Sequence, residues 1–193
     1  MESVILALHG FRSSAQSEKI RILAACLTAK GKQEALIAPD LPPSPADVMV
    51  LCARLLADPL AAGKKVTLMG SSLGGYYATF LAERYDLQAV LLNPAVPECL
   101  SPKRWLGWQP YLHQPERGFE FTSRHLEELR ALHVATPTPE RYWLLLETGD
   151  TVLDYRDAAA RYAGCRQQVF PGGHHGFSRF AEVLPGILAF AGL

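Results

Sequence analysis

The sequence predicts an α/β protein in three layers: a mostly parallel sheet of about six strands with helices packed on both faces. Three observations carry that expectation. Short apolar runs rich in Val, Ile and Leu alternate with segments whose apolar residues recur every three or four positions, the pattern of strand followed by helix. The chain has 193 residues, enough to bury one sizeable core, and its 49% hydrophobic and 20% charged content is that of a globular protein. The alternation breaks once, over residues 94–140, and then resumes. The expected organisation is therefore a single domain, residues 1–193, carrying residues 94–140 as an inserted lid or cap.

The elements follow in order. Residues 3–8 (SVILAL) form a compact β-rich run that ends at His9-Gly10. Ile20, Leu23, Ala24 and Leu27 recur at helical spacing, with Gly31 as the stop. Residues 34–38 (EALIA) read as a second strand ended by Pro39. Ser44-Pro45-Ala46-Asp47 is a strong helix start: the serine can cap, the proline suits the first helical position, and Asp47 favours the positive end of the helix dipole. Val48, Leu51, Cys52 and Leu55 continue that helix. Residues 65–69 form a third strand, Leu73 to Leu81 a helix, and residues 88–92 a fourth strand.

Residues 94–140 hold seven of the fourteen prolines and one helix, with Leu126, Leu129 and Leu132 near its apolar face. Long inserted loops in compact domains often cover active sites. Its aromatic residues, Trp105, Trp108, Tyr111, Phe119 and Phe121, fit either an apolar substrate surface or packing of the insertion onto the domain. Residues 142–147 (YWLLLE) restart the alternation, followed by a helix from about Tyr155 to Ala163 and a strand near residues 166–170. The tail from Ser178 is helical, and Pro185 is expected to restart the helix instead of lying inside it.

Composition excludes several functions. Nineteen basic residues balance nineteen acidic ones with no basic stripe, which argues against a nucleic-acid partner. The start MESVILALHG lacks the basic leader of a signal peptide, and no run approaches a membrane span, so a cytoplasmic protein without a membrane partner is expected. Cys26, Cys52, Cys99 and Cys165 are scattered without a CxxC pair and read as buried free thiols. There is no H-E-x-x-H, no helix-opening G-x-G-x-x-G and no Walker loop, so neither a metal nor a nucleotide cofactor is indicated.

Parallel sheets of this kind place their sites at the carboxyl ends of strands. After the third strand comes Gly70-Ser71-Ser72-Leu73-Gly74-Gly75, a G-x-S-x-G pattern with Ser72 at its centre. A strand that turns sharply into a helix presents such a serine at the apex, and the glycines allow the close approach. That context is characteristic of the α/β-hydrolase fold. A serine hydroxyl needs a base, and in this fold the histidine follows the last strand. The loop after that strand offers two adjacent candidates, His174 and His175. The base needs a carboxylate to hold its tautomer. Asp150 lies just beyond the YWLLLE strand, whereas Asp154 has the surroundings of a helix N-cap. The oxyanion donors expected are the backbone N–H groups of Leu73, next to the nucleophile, and of Phe11, in the loop after the first strand. His9 would orient that loop.

The stretches LHGFRSS, PDLPPSP, GSSLGGYYATFLA, LNPAVP, TGDTVLDYR and GGHHGF occur in order and span nearly the whole chain. Together they resemble the YqiA-type family of small esterases within the α/β-hydrolase superfamily. The resemblance implies a cofactor-free carboxylesterase acting on short acyl chains, with nucleophile Ser72, acid Asp150 and base His175. His174 departs from the asparagine often found before that histidine. The expected partner is a small-molecule acyl ester. A thioester or small amide would suit the same triad, and a non-catalytic ligand-binding module is the remaining alternative.

Overall fold

The computed structural model describes residues 2–99 and 105–193, so residues 100–104 of the insertion, Pro102 among them, lie outside the described residues. Strands β1 (Ser3–Leu8), β2 (Leu36–Ile37), β3 (Lys65–Ser71), β4 (Gln88–Leu92), β5 (Gly107–Tyr111), β6 (Gln114–Phe121), β7 (Tyr142–Glu147) and β8 (Arg166–Phe170) form two sheets. The main sheet has six strands in the order β2-β1-β3-β4-β7-β8, every neighbouring pair parallel. Among the described residues the sheets are accompanied by helices α1 (Glu18–Ala29), α2 (Pro45–Ala61), α3 (Leu73–Tyr85), α4 (Ser123–Ala131), α5 (Tyr155–Arg161) and α6 (Phe180–Ala191). No helix among the described residues is long and apolar enough to cross a membrane.

Successive side chains of a strand point to opposite faces, and a sheet covered on both sides needs apolar residues in both sets. That is how the core divides. Leu6, Leu8, Leu68, Leu91, Leu144 and Leu146 join a cluster with Val48, Cys52 and Leu56 of α2, Tyr77 and Leu81 of α3, and Ala158 of α5. Their alternates Ile5, Ala7, Met69, Val90, Leu92, Trp143 and Leu145 pack against Ile20, Leu23 and Leu27 of α1 and against α6. The local signals act as expected: Ser44 accepts from the Asp47 N–H at 3.2 Å to cap α2, and Asp154 accepts from the Arg156 N–H at 3.0 Å to cap α5.

Three expectations change. The second strand is only Leu36–Ile37, because Gln33–Ala35 close a 3₁₀ turn first. Pro185 lies inside α6. A proline there forfeits one backbone bond and costs about 3 kcal/mol. The apolar stripe Phe180, Val183, Leu184, Ile187 and Leu188 runs past it unbroken, and burying those side chains outweighs the cost at about 1.5–3 kcal/mol each. Third, only Cys52 is fully buried; Cys26, Cys99 and Cys165 are half-buried, outside any disulfide.

The insertion holds an element that the sequence pattern does not announce, the antiparallel ribbon β5–β6, joined by Leu112-His113. Pro110 and Pro115 are tolerated because both strands of a two-stranded ribbon are edges. The ribbon is anchored on the loop after β1. Arg12 Nε donates to the Pro110 carbonyl at 2.6 Å, and the Leu112 N–H donates to the Arg12 carbonyl at 2.9 Å. Phe11 sits among Trp105, Phe119 and Phe121 with ring centroids 4.5, 5.6 and 5.3 Å away. These three aromatics therefore pack the insertion onto the domain, while Trp108 remains 59% exposed. Helix α4 is held by Glu128, which accepts from Ser44 Oγ and the Ala46 N–H at the start of α2.

Candidate active site

The turn from β3 into α3 is built around close backbone approach. A Cβ at Gly70 would strike the Gly74 carbonyl oxygen, and one at Gly74 would strike the Leu8 carbonyl oxygen. Between them Ser72 has φ 54° and ψ −122°, a conformation that costs a non-glycine residue about 1–3 kcal/mol. The surrounding backbone holds it there: the Ser72 N–H donates to Leu92 at 3.1 Å and its carbonyl accepts from Ala95 at 2.9 Å. Five described non-glycine residues have positive φ; Asp86 ends α3, and the other four, Arg12, Ser72, Asn93 and Phe177, border this site.

The structure brings three distant residues into one hydrogen-bonded chain. His175 Nε2 lies 2.9 Å from Ser72 Oγ, and His175 Nδ1 lies 2.7 Å from Asp150 Oδ2. The Asp150 side chain is nearly inaccessible, and its other oxygen accepts from the Val152 and Leu153 N–H groups at 2.8 and 2.9 Å. Burial works to raise its pKa, yet the hydrogen bonds from His175 and the two amides outweigh burial and hold it below the ordinary value. A carboxylate paired with Nδ1 leaves Nε2 as the acceptor facing the serine. His174 is exposed, and its ring takes the Gly176 N–H at 3.0 Å instead of approaching Ser72.

The histidine loop is gripped by residues that sequence reasoning missed. Glu147, at the end of β7, is 0% exposed and accepts from the His174, Ser178 and Arg179 N–H groups and from Ser178 Oγ at 2.7–3.1 Å. Burial pushes its pKa up, but these donors win and hold the carboxyl below its usual range. Asn93, just after β4, donates to the His174 and His175 carbonyls at 3.1 and 3.3 Å and accepts from the Glu147 N–H at 2.9 Å. A signal was present: each is a polar residue closing an otherwise apolar strand, at the sheet edge where sites form. Their partners come from about 30 to 80 positions away, which no local pattern reveals.

Both lowered carboxylates make stability pH-dependent. A carboxyl whose folded pKa lies below its unfolded value of about 4 contributes fully above that value and loses the contribution as pH falls through the folded one. The urea midpoint should therefore drop steeply between about pH 5 and pH 3, where unfolded carboxylates bind protons that folded Glu147 and Asp150 refuse. A flat midpoint across that window would contradict the assignment.

His9 acts within its loop. Nδ1 donates to the Gly10 carbonyl at 2.9 Å and Nε2 accepts from the Leu41 N–H at 2.9 Å. Burial lowers its pKa, which suits a neutral ring with one donor and one acceptor. Among the described residues no protein acceptor takes the N–H of Phe11 or Leu73. The cleft beside them has two lobes. One, about 330 Å³ and open to solvent, is bounded by Leu73, Tyr77, Tyr111, Phe119 and the Leu41-Pro42-Pro43 stretch. The other, about 570 Å³, contains Ser72 and His175 with Phe11, Lys19, Ile20 and Leu112. His125 caps α4, its Nδ1 accepting from the Thr122 N–H, and His113 lies in the ribbon turn.

The sheet order, the strained serine between β3 and α3, and the chain order Ser72, Asp150, His175 define the α/β-hydrolase fold. Solved structures agree. The chain is similar to Est1E from Butyrivibrio proteoclasticus with ferulic acid bound (TM-score 0.73, 15% identity, 97% of this chain and 87% of that one). It is also similar to mouse alpha/beta hydrolase domain-containing protein 10 (TM-score 0.70, 16% identity, 98% and 90%). The pyrethroid hydrolase PytH is a further match (TM-score 0.63, 20% identity, 100% and 98%). Residues 4–192 match the model of the uncharacterised protein family UPF0227, and the chain belongs to that family, the YqiA-type family whose motifs it carries.

Proposed function

We propose that the protein is a serine hydrolase that cleaves carboxylic esters with short acyl chains through an acyl-enzyme. One observation carries the reading: the unbroken contact from Ser72 Oγ through both nitrogens of His175 to Asp150. His175 Nε2 takes the hydroxyl proton as Oγ attacks the acyl carbonyl. The Phe11 and Leu73 N–H groups receive the oxyanion. The imidazolium returns the proton to the departing alkoxide, the alcohol leaves, and the acyl group remains on Oγ. Water, deprotonated by the same nitrogen, then releases the carboxylic acid and restores the serine. Asp150 stabilises the imidazolium in both halves. These steps call for no cofactor.

The short acyl preference is supported by the smaller lobe, which Tyr111 and Phe119, with ring centroids 5.5 Å apart, narrow at the insertion. The insertion, residues 94–140 of a single domain, thus acts as a cap over the cleft. Four cysteines with no disulfide among the described residues suit the cytoplasm.

A fluorophosphonate probe should label the protein at Ser72, located by peptide mass. On 4-nitrophenyl esters from acetate to decanoate, kcat/KM should peak at four carbons or fewer, above matched thioesters and amides. Absence of labelling at Ser72 would end the hydrolase reading, and a maximum at eight or more carbons would end the short-chain one.

A further inference from the structure

Among the described residues, the charged side chains lining the cleft are Lys19 in the lobe that holds Ser72 and Arg12 in the other. Both are cations, and among the described residues no carboxylate lines either lobe. Among the described residues neither forms an ion pair. Lys19 is the less expected of the two. As the second residue of α1, Lys19 lies near the positive end of the helix dipole, where an acid would be favoured. It is half-buried, and burial pulls its pKa below the ordinary lysine value, with Glu18 and Glu147 acting more weakly the other way. Among the described residues Nζ makes one hydrogen bond, to the Gly176 carbonyl at 2.7 Å, which leaves two of its three N–H groups for another acceptor. The fold thus holds a partly desolvated cation, with donors to spare, in the lobe where the acyl bond must sit.

We propose that Lys19 binds an anionic group of the substrate, so that the esters this cleft prefers carry a carboxylate. The inference rests on the hydrolase reading and narrows its substrate class. The anion can belong to the acyl half or to the alcohol half; the chemistry is the same, and matched substrates separate the two. A carboxylate meeting a partly desolvated ammonium makes a charge-assisted hydrogen bond, and Arg12 adds to the same positive potential. Lys19 has a competing role, since its bond to Gly176 also steadies the loop that carries His175. That role would alter the hydrolysis of every ester alike.

The test uses two pairs of esters. In the first the acyl half differs: 4-nitrophenyl hydrogen adipate, anionic, against 4-nitrophenyl heptanoate. In the second the alcohol half differs: 4-acetoxybenzoate against its methyl ester. Each pair gives the ratio of kcat/KM, anionic over neutral, for the wild type, Lys19→Met and Lys19→Arg. Because each ratio is compared between proteins, intrinsic reactivity cancels. In at least one pair the ratio should fall about tenfold or more in Lys19→Met, mainly through KM, and stay within about threefold of the wild type in Lys19→Arg. The pair that responds identifies the half carrying the anion. If both ratios stay within about twofold, even with all rates lowered together, Lys19 serves the loop alone and the proposal is overturned. A wild-type protein that hydrolyses none of the four esters and leaves Ser72 unlabelled by the probe overturns the hydrolase reading, and this inference with it.

Discussion

Replacing Ser72 with alanine should lower kcat on 4-nitrophenyl acetate by at least about 10⁴-fold, since losing the nucleophile removes the covalent route and leaves only binding and the oxyanion donors. The fold should survive. Alanine has no hydroxyl to lose to solvent, and the flanking bonds to Leu92 and Ala95 are made by the backbone. The strain at φ 54° remains in the variant, because alanine disfavours that region as serine does. Thermal unfolding of the two proteins should therefore coincide within a few degrees while their rates diverge by orders of magnitude. Should the variant keep more than about one hundredth of the rate, another group performs the attack and the mechanism falls.

The second large effect separates two neighbours. His175→Ala should cost about 10⁴–10⁶-fold in kcat, because the serine then has no base and the leaving alkoxide no acid. His174→Ala should cost less than about tenfold. The two residues sit side by side in a tight turn, yet only the His175 ring reaches Ser72 and Asp150. Two of the His174 contacts are backbone ones that alanine keeps, its N–H to Glu147 and its carbonyl from Asn93, and the variant loses only the ring's bond from the Gly176 N–H. Steady-state kinetics on the two variants decides the matter; a larger loss in His174→Ala would transfer the base role to that residue.

Most of the sheet is legible in the sequence because a strand covered on both faces must be apolar over most of its length. SVILAL, KVTLM, QAVLL and YWLLLE satisfy that, and all lie in the main sheet. The ribbon β5–β6 is not legible for the opposite reason. Gln114-Pro115-Glu116-Arg117 at its start are exposed and have no core to alternate against, and its stability comes from Phe119 and Phe121 reaching Phe11, about 110 positions away in the chain. Pro185 misled for a related cause: local chemistry says stop, and the apolar stripe on either side overrides it.

Chain order alone determined which residue types were available at each strand end: a serine between glycines, a carboxylate after YWLLLE, a pair of histidines after the last strand. Such motifs are local, since sharp turns and caps involve only a few consecutive residues. Tertiary structure alone decided which histidine ring meets the hydroxyl, that a buried Glu147 and Asn93 grip its loop, and that Lys19, bonded to the Gly176 carbonyl, lines the same cleft. Those outcomes depend on distances between residues that the chain separates widely, and a distance of that kind exists only after the sheet has closed.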